Sequence, residues 1–331
     1  MSNAAKAFDN FFRAGRVPGY RQRDDLSRFH PAVRDQLRSL QGSWNIALSN
    51  ARRDVPGHTD TKPFHVDFVD ADEKNATAFC YAGHALIALT VPLVFKLSDI
   101  CLALSKSQEV AVVLDIQYVA DDYSQLQAVL LSMLSAFIVA HEYTHHVYGH
   151  VSENDGLNPF LHISSCSGGS LAAQIDEVVA DGYSIYHVLE NSIVTTAGNG
   201  PNPFYSLNAD KSSLTPEQTI AAVALAVAAY MFTLRECHLS LLTAYTLSHP
   251  PPPVRLELTM TESVLWARKF PTLGELLQRK FRALASVAAR VIVGADKASR
   301  MWTEQRAFLA SQAGQAYTQA LINGVNKFKA S

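Results

Sequence analysis

Two histidines and a glutamate form a five-residue pattern whose side chains can bind a metal ion and use it. The pattern is an HExxH motif, His141-Glu142-Tyr143-Thr144-His145. Because residues four apart share one face of a helix, His141 and His145 can direct their imidazoles at a single ion. Glu142 can then act as general base for a water that the ion activates. This chemistry is typical of a zinc-dependent peptidase.

The sequence around the motif favours metal binding over a chance pair of histidines on a surface helix. Residues 126–140 form an apolar run directly before the motif, and this run is too apolar for a surface helix. Imidazoles and a carboxylate at the end of a core helix are costly unless a metal ion or hydrogen-bond partners satisfy them. We therefore expect residues 126–151 to be the metal-binding helix.

A catalytic zinc site needs a third protein ligand and keeps one open position. His146 directly follows His145 and lies about 100° further around the helix, so it faces elsewhere. His150 would belong to a longer histidine motif only with glycine in place of Tyr148 and histidine in place of Val151, and both conditions fail. The third ligand is therefore expected further along the chain.

Glu177 is the best candidate for the third ligand. It lies in a helical pattern with Asp181 four residues later, on the same face. Two acids at this spacing could also form a solvated face, but the surrounding residues are apolar: Val178, Val179, Ala180 and Ile185. We expect Glu177 to bind the metal, and Asp181 to accept the free N–H of a ligand histidine.

With these residues, the chain resembles the gluzincin peptidases of the HtpX and CAAX-prenyl-endopeptidase type, whose signature is HExxH followed by ExxAD. Residues 248–255, Ser-His-Pro-Pro-Pro-Pro-Val-Arg, resemble the family's His-Pro-Pro-x-x-x-Arg element. Residues 75–78, Asn-Ala-Thr-Ala, resemble its Asn-Ala-x-Ala segment. The several membrane helices of that family are not evident. This departure points to soluble relatives, including the Lit-type phage-exclusion peptidases.

The resemblance implies roles for the His-Pro element. His249 would lie near the open metal position and donate a hydrogen bond to the developing oxyanion, and Arg255 would brace the ligand or the Asp181 region. From the residues alone, prolines 250–253 predict a stiff, extended segment that could hold His249, or else a helix terminator with a solvent-facing histidine. A tyrosine could also assist at the oxyanion, and three are near in sequence: Tyr143, Tyr183 and Tyr186.

The resemblance also implies a substrate-binding strand. Asn75, Ala76 and Ala78 would lead into an edge strand that holds an extended peptide by main-chain hydrogen bonds, as in strand addition. The expected substrate is therefore a protein or a peptide.

The predicted fold is α+β and mostly helical, a zincin-like arrangement with a small antiparallel sheet and an active-site helix. Residues 1–60 are expected to form an N-terminal helical segment, 61–260 the catalytic domain and 261–331 a C-terminal helical region. Strands are predicted at 64–69 and 77–89, and helices at 31–40, 91–104 and 220–234. Residues 109–118 suit either a helix or a strand, residues 191–218 predict a long loop, and 273–328 predict amphipathic helices with breaks at Gly294, Gly314 and Gly324.

Composition limits the partners and the compartment. The chain has 331 residues, of which 48% are hydrophobic and 18% charged, with a formal net charge of -2. The sequence lacks the dense stripe of basic residues that would indicate nucleic-acid binding. Four scattered cysteines and a polar N-terminus favour reduced thiols in a cytoplasmic protein. Residues 220–234 are shorter than the ~20 residues that span a bilayer, which favours a buried helix and leaves peripheral membrane contact as the alternative.

Three functional hypotheses follow. The first is a zinc endopeptidase with one Zn²⁺ per chain and Glu142 as general base. The second is a narrow regulatory or phage-defence protease that cleaves one intracellular target, as the Lit-type resemblance suggests. The third is a non-catalytic protein in which a closed metal site with four protein ligands only joins helices.

Overall fold

The computed structural model describes residues 2–51, 62–117, 123–151, 169–194, 214–234 and 244–330. This part of the chain is mostly helical and carries a small four-stranded sheet, which agrees with the predicted α+β class. The chain divides into two compact units, Met1–Ser98 with Ile138–Leu161, and Asp99–Phe137 with His162–Ser331.

The first unit contains the sheet. Its strand order is β1-β2-β4-β3, in which β2 and β4 are parallel and the other two pairings are antiparallel. The expectation of an antiparallel sheet was therefore wrong for the central pair. The chain reverses its direction between β3 and β4, and β4 then lies between β2 and β3 and runs parallel to β2. The elements are α1 Asn3–Arg13, β1 Tyr20–Arg23, α2 Pro31–Ala51, β2 Phe64–Ala71, β3 Ala76–Tyr81 and β4 His84–Thr90.

The single strand predicted over residues 77–89 is a hairpin of two strands. Ala82 and Gly83 both have positive φ, +50° and +73°, and they form a two-residue loop between the paired residues Tyr81 and His84. A loop with two positive φ values matches the right-handed twist of the strands that it joins. The sequence signal is weak because alanine, unlike asparagine, rarely adopts this conformation.

Aromatic packing of α1 on the sheet builds the core of the first unit. Phe8, Phe11 and Phe12 of α1 are buried against Phe79 of β3, and the ring centroids of Phe11 and Phe79 are 4.5 Å apart. Ser2 caps the helix by accepting a hydrogen bond from the backbone N–H of Ala5. The helix α1 thus covers one face of the sheet at β3 and β4.

Two helices begin in one unit and end in the other. They are α3, Val91–Ser105, and α5, Ser124–Val147. Of the described helices, α5 alone is long and apolar enough to span a membrane by length and composition, and 72% of its apolar window is buried inside the protein. Burial of this kind is typical of the core helix of a soluble protein.

The second unit is helical in all of its described elements. The buried helix predicted over 220–234 is confirmed as α7, Pro216–Met231, which is buried at every position from Thr219 to Met231. It packs against α9, Pro271–Val293, while α8, Pro252–Ala267, packs against α6, Leu171–Leu189. The elements are α4 Gln108–Leu114, α6 Leu171–Leu189, a π-helical turn Glu190–Val194, α7 Pro216–Met231, α8 Pro252–Ala267, α9 Pro271–Val293, α10 Ala295–Ala310 and α11 Gln312–Ala330.

Proline and glycine positions account for the other corrections. The segment predicted as extended through residue 253 becomes helical at Pro252, because proline fits the first turn of a helix, where its missing N–H has no partner to lose. Gly294 separates α9 from α10 with φ +87°, as predicted. Gly314 and Gly324 lie inside the continuous helix α11, so the helix breaks predicted at these two glycines were wrong. Of the predicted 191–218 loop, residues 195–213 lie outside the described part of the chain.

Candidate metal centre

His141 and His145 lie one turn apart on α5 and point the same nitrogen at a shared position. Their Nε2 atoms are 3.3 Å apart. Two nitrogen ligands of a tetrahedral zinc, each about 2.0–2.1 Å from the ion, are also about 3.3 Å apart. His141 is buried and His145 is half-buried. The two imidazoles are therefore arranged as a pair of ligands to one ion would be.

Glu142 follows the first ligand and is buried at 9% exposure. Its negative charge also reaches Tyr20 of β1. The pKa of the Tyr20 hydroxyl is raised above its usual value, first by burial and then by its hydrogen bond to Glu73, with a smaller contribution from the charge of Glu142. A buried carboxylate is thus carried by the residue that directly follows the first of the two histidines.

Contacts on the other faces of α5 fix the orientation of its C-terminal end. The Nε2 atom of His146 lies 2.9 Å from the carbonyl oxygen of Leu86 in β4, and its Nδ1 atom lies 3.9 Å from Cys80 Sγ in β3. The prediction that His146 faces away from the metal is confirmed. The Tyr143 hydroxyl donates to the carbonyl oxygen of Leu48 in α2 at 3.1 Å, and the Tyr143 side chain is fully buried.

His150 lies against the second ligand, a contact that the sequence analysis missed. Its Nδ1 atom is 3.0 Å from the Nδ1 atom of His145. The only sequence signal is Gly149, which follows the helix and permits the chain to turn back with φ +72°. His150 was rejected as a metal ligand, and the structure places it on the side of His145 opposite to the Nε2 atom.

Glu177 on α6 completes a group of three candidate ligands. His141, His145 and Glu177 each offer one ligand atom, and these atoms all lie within 4.8 Å of one another. Glu177 is 8% exposed. Two imidazoles and a carboxylate are a donor set that zinc uses. A buried group that could hold a metal ion therefore exists where the sequence predicts it.

Asp181 and Arg255 form a buried ion pair one turn beyond Glu177. The Nε and Nη2 groups of Arg255 donate to the two carboxylate oxygens of Asp181, each at 2.7 Å. Burial lowers the pKa of the Arg255 guanidinium, but the charge and hydrogen bonds of Asp181 and the charge of Glu177 outweigh it and raise the pKa above its usual value. That Asp181 accepts a histidine N–H as well stays a prediction.

Glu177 has two basic neighbours besides the histidines of α5. Its Oε2 atom is 3.7 Å from the Nη2 atom of Arg255 and 3.7 Å from the Nε2 atom of His249. The Nδ1 atom of His249 is buried and has no hydrogen-bond partner among the described residues. His249 thus lies beside the third candidate ligand, with one nitrogen available for a further contact. That it lies near the open metal position stays a prediction.

The segment before His249 is held against α6 by two residues that the sequence analysis did not single out. The side-chain amide of Gln174 donates to the carbonyl oxygens of Ala244 and Leu247, at 2.9 and 2.7 Å. At Gly169, an added Cβ would lie 2.0 Å from the carbonyl oxygen of Leu247, so only glycine fits. Because Gln174 lies one turn before Glu177, one helix both carries the carboxylate and anchors the His249 segment.

The predicted substrate-binding residues lie at the end strand of the sheet. Ala76 and Ala78 belong to β3, which pairs with β4 and is the last strand in the sheet order. Asn75 ties β3 to the end of β4, since its backbone N–H donates to the Thr90 hydroxyl at 2.8 Å and its side-chain amide donates to the Tyr20 hydroxyl at 3.3 Å. A structural role for the Asn75 side chain is therefore visible.

The two remaining tyrosine candidates have other contacts. The Tyr186 hydroxyl accepts a hydrogen bond from Lys269 at 2.6 Å, and the Tyr183 ring stacks on His187.

Comparison with protein-family models, with curated proteins and with solved structures found no match to this chain. The class of the protein is therefore argued from the site itself.

Proposed function

We propose that this protein is a zinc-dependent endopeptidase of the gluzincin type, with His141, His145 and Glu177 as ligands. The observation that carries the proposal is the buried three-residue group, in which two Nε2 atoms already have the separation of zinc ligands. Zinc bound there would lower the pKa of water to about 7 and polarise the scissile carbonyl.

Glu142 is the proposed general base. Its carboxylate would accept a proton from the attacking water and deliver it to the nitrogen of the leaving amine. The motif places this buried carboxylate next to a ligand on the same helix, so its position is fixed by the contacts that hold α5. General base catalysis of this kind contributes about 10²–10⁴-fold to the rate.

His249 is the proposed donor to the oxyanion. Its Nε2 atom is 3.7 Å from Glu177, and its Nδ1 atom is buried without a described partner. A donor that is already held in place costs no reorganisation when negative charge develops on the carbonyl oxygen. Arg255 would act on Glu177 and Asp181, holding both carboxylates in place by its positive charge.

The substrate is proposed to bind as an extended strand beside β3. Among the described strands, β3 ends the sheet order, and α5 touches the β3–β4 hairpin through His146 at Cys80 and Leu86. The strand that would hold the peptide is therefore in contact with the helix that carries the two histidine ligands. Strand addition takes affinity from main-chain hydrogen bonds and so suits a protein or peptide substrate.

The open position argues for catalysis over a structural metal site. Within the described part of the chain, the candidate group has three members, whereas structural zinc sites are closed by four protein ligands. The nearest additional histidine on α5, His146, is held at the Leu86 carbonyl.

The test is peptide-bond cleavage by the zinc-loaded protein and its Glu142→Gln variant, measured on unfolded proteins and on a peptide library. We expect cleavage by the wild type and a loss of about 10²–10⁴-fold in the variant, with zinc content unchanged. Glu257→Gln, a change at an exposed glutamate of α8, is the control. Equal cleavage by Glu142→Gln and the wild type, or none by either, would contradict the proposal.

A further inference from the structure

The helix α5 ends in a hydrogen-bonded turn that brings the chain back over its own last residues. The backbone N–H of Gly149 donates to the His146 carbonyl oxygen at 3.2 Å, and that of His150 donates to the His145 carbonyl oxygen at 2.9 Å. With φ +72° at Gly149, this is a Schellman motif. Such a turn places the residue after the glycine beside the helical residue five positions earlier.

The pair brought together here is His150 and His145. Their Nδ1 atoms are 3.0 Å apart, and their ring centroids are 5.2 Å apart. On its opposite edge, the Nε2 atom of His145 faces the Nε2 atom of His141 at 3.3 Å. His145 therefore directs one ring nitrogen at the other ligand and the second at His150.

The proton between the two rings follows from the ligand role of His145. A histidine that binds a metal through Nε2 must leave that nitrogen unprotonated, so its proton is on Nδ1. A contact of 3.0 Å between two nitrogens is a hydrogen bond only if one donates and the other accepts. His145 is then the donor and His150 the acceptor.

We propose that His150 is a positioning residue, which accepts a hydrogen bond from His145 Nδ1–H and thereby fixes the tautomer and ring orientation of a metal ligand. The inference rests on the proposed zinc site. Metal-binding histidines usually donate their second N–H to a carboxylate, a backbone carbonyl or water. In this chain a neutral imidazole five residues along takes that role for His145.

The turn at Gly149 brings His150 to the position from which it can accept the hydrogen bond of His145. An added Cβ at Gly149 would meet no atom within 4 Å, so a substitution there acts through the positive φ alone. A left-handed backbone conformation is unfavourable for a residue other than glycine, because its Cβ comes too close to the following carbonyl oxygen. Gly149→Ala is therefore expected to weaken the His150–His145 contact without crowding any neighbour.

The test compares three substitutions of His150 by their affinity for zinc alone, measured by competition with a chelator, and by the visible spectrum of the cobalt-loaded protein. Asparagine carries a side-chain oxygen at about the place of Nδ1 and keeps an acceptor, whereas alanine and phenylalanine do not. We expect His150→Ala and His150→Phe to bind zinc about 10–100-fold more weakly, and His150→Asn to retain most of the affinity. The helical circular dichroism of each metal-free variant shows that it is folded.

The possible results separate this inference from the proposed function. Wild-type affinity in a folded His150→Ala variant would overturn the positioning role while leaving the zinc site intact. A cobalt spectrum that changes equally in all three variants, asparagine included, would make His150 a ligand and overturn the inference as well. Failure of the wild type to bind zinc or cobalt would instead overturn the proposed function, on which the inference rests.

Discussion

The C-terminal end of α5 and the carboxylate region of α6 contribute to the same candidate group by different means. At the end of α5, contacts within ten residues of chain set the geometry, and His145 lies in hydrogen-bond range of both His141 and His150. On α6, Asp181 depends on a charged partner, Arg255, which is 74 residues away in the sequence.

The difference shows what each region requires for its stability. Buried imidazoles can remain neutral and need only hydrogen-bond partners, which a helix and its terminal turn supply locally. A buried carboxylate stays charged only if a cation is beside it, and for Asp181 the fold brings that cation, Arg255, from elsewhere in the chain. We therefore expect losses of charge near α6 to cost more stability than losses of hydrogen bonds near α5.

The largest effect on stability is expected at Arg255. In Arg255→Met, Asp181 is left buried without its cation, and breaking such a pair typically costs about 3–5 kcal/mol of the free energy of unfolding. Urea unfolding of the metal-free protein measures this loss.

The matched control for Arg255 is a second arginine with a similar contact at the surface. Arg290 donates through Nε and Nη2 to Glu109, and the two side chains are 39% and 57% exposed. An exposed pair contributes about 0–1 kcal/mol, so Arg290→Met is expected to change little. Equal losses in the two variants would remove the proposed contrast between the regions.

A smaller loss of stability is expected at low pH, where the side chain of His187 on α6 becomes protonated. Burial lowers the pKa of His187 from 6.5 to about 4, and the Asn191 side-chain amide donates to its Nε2 atom at 3.2 Å, as a neutral imidazole requires. Between these two pH values the unfolded chain binds the proton and the folded chain does not, so stability falls as pH falls through this window.

The size of the acid effect is measured by comparing His187→Phe with the wild type in urea at pH 7 and pH 4.5. The wild type is expected to lose about 1–3 kcal/mol more than the variant over this range, less than full burial would give because the ring is half-buried. Parallel losses in both proteins would show that His187 is not held neutral.

The smallest effect is expected at Tyr143 on α5. Tyr143→Phe removes one hydrogen bond, to the Leu48 carbonyl oxygen, and leaves the ring in its edge contact with Phe64. A hydrogen bond between neutral groups contributes about 1 kcal/mol to the free energy of unfolding, so the midpoint of urea unfolding should be at a slightly lower urea concentration in the variant. A loss as large as that of Arg255→Met would contradict the idea that α5 depends on neutral contacts.

The sequence predicted the parts of the site that local spacing determines. The helix with His141 and His145, and the helical spacing of Glu177 and Asp181, follow from residues four apart on one face. The apolar stretch at 220–234 was likewise sufficient to predict a buried helix.

The parts that were missed depend on long-range or unusual backbone contacts. The parallel pairing of β2 with β4 has no local signal, because it depends on where the hairpin returns. The hydrogen bonds of Gln174 to Ala244 and Leu247 join residues 70 and 73 positions apart. His150 could have been placed at His145 only by recognising Gly149 as the glycine of a helix-ending turn.

The most direct test of the account is the metal content of the protein purified without added metal, measured by elemental mass spectrometry. Glu177→Gln is compared with the wild type and with Asp176→Asn, which removes the neighbouring charge on α6 and leaves the candidate ligands in place. We expect about one zinc ion per chain in the wild type and in Asp176→Asn, and a sharp loss in Glu177→Gln. Zinc retained in full by Glu177→Gln, or absent from the wild type, would contradict it.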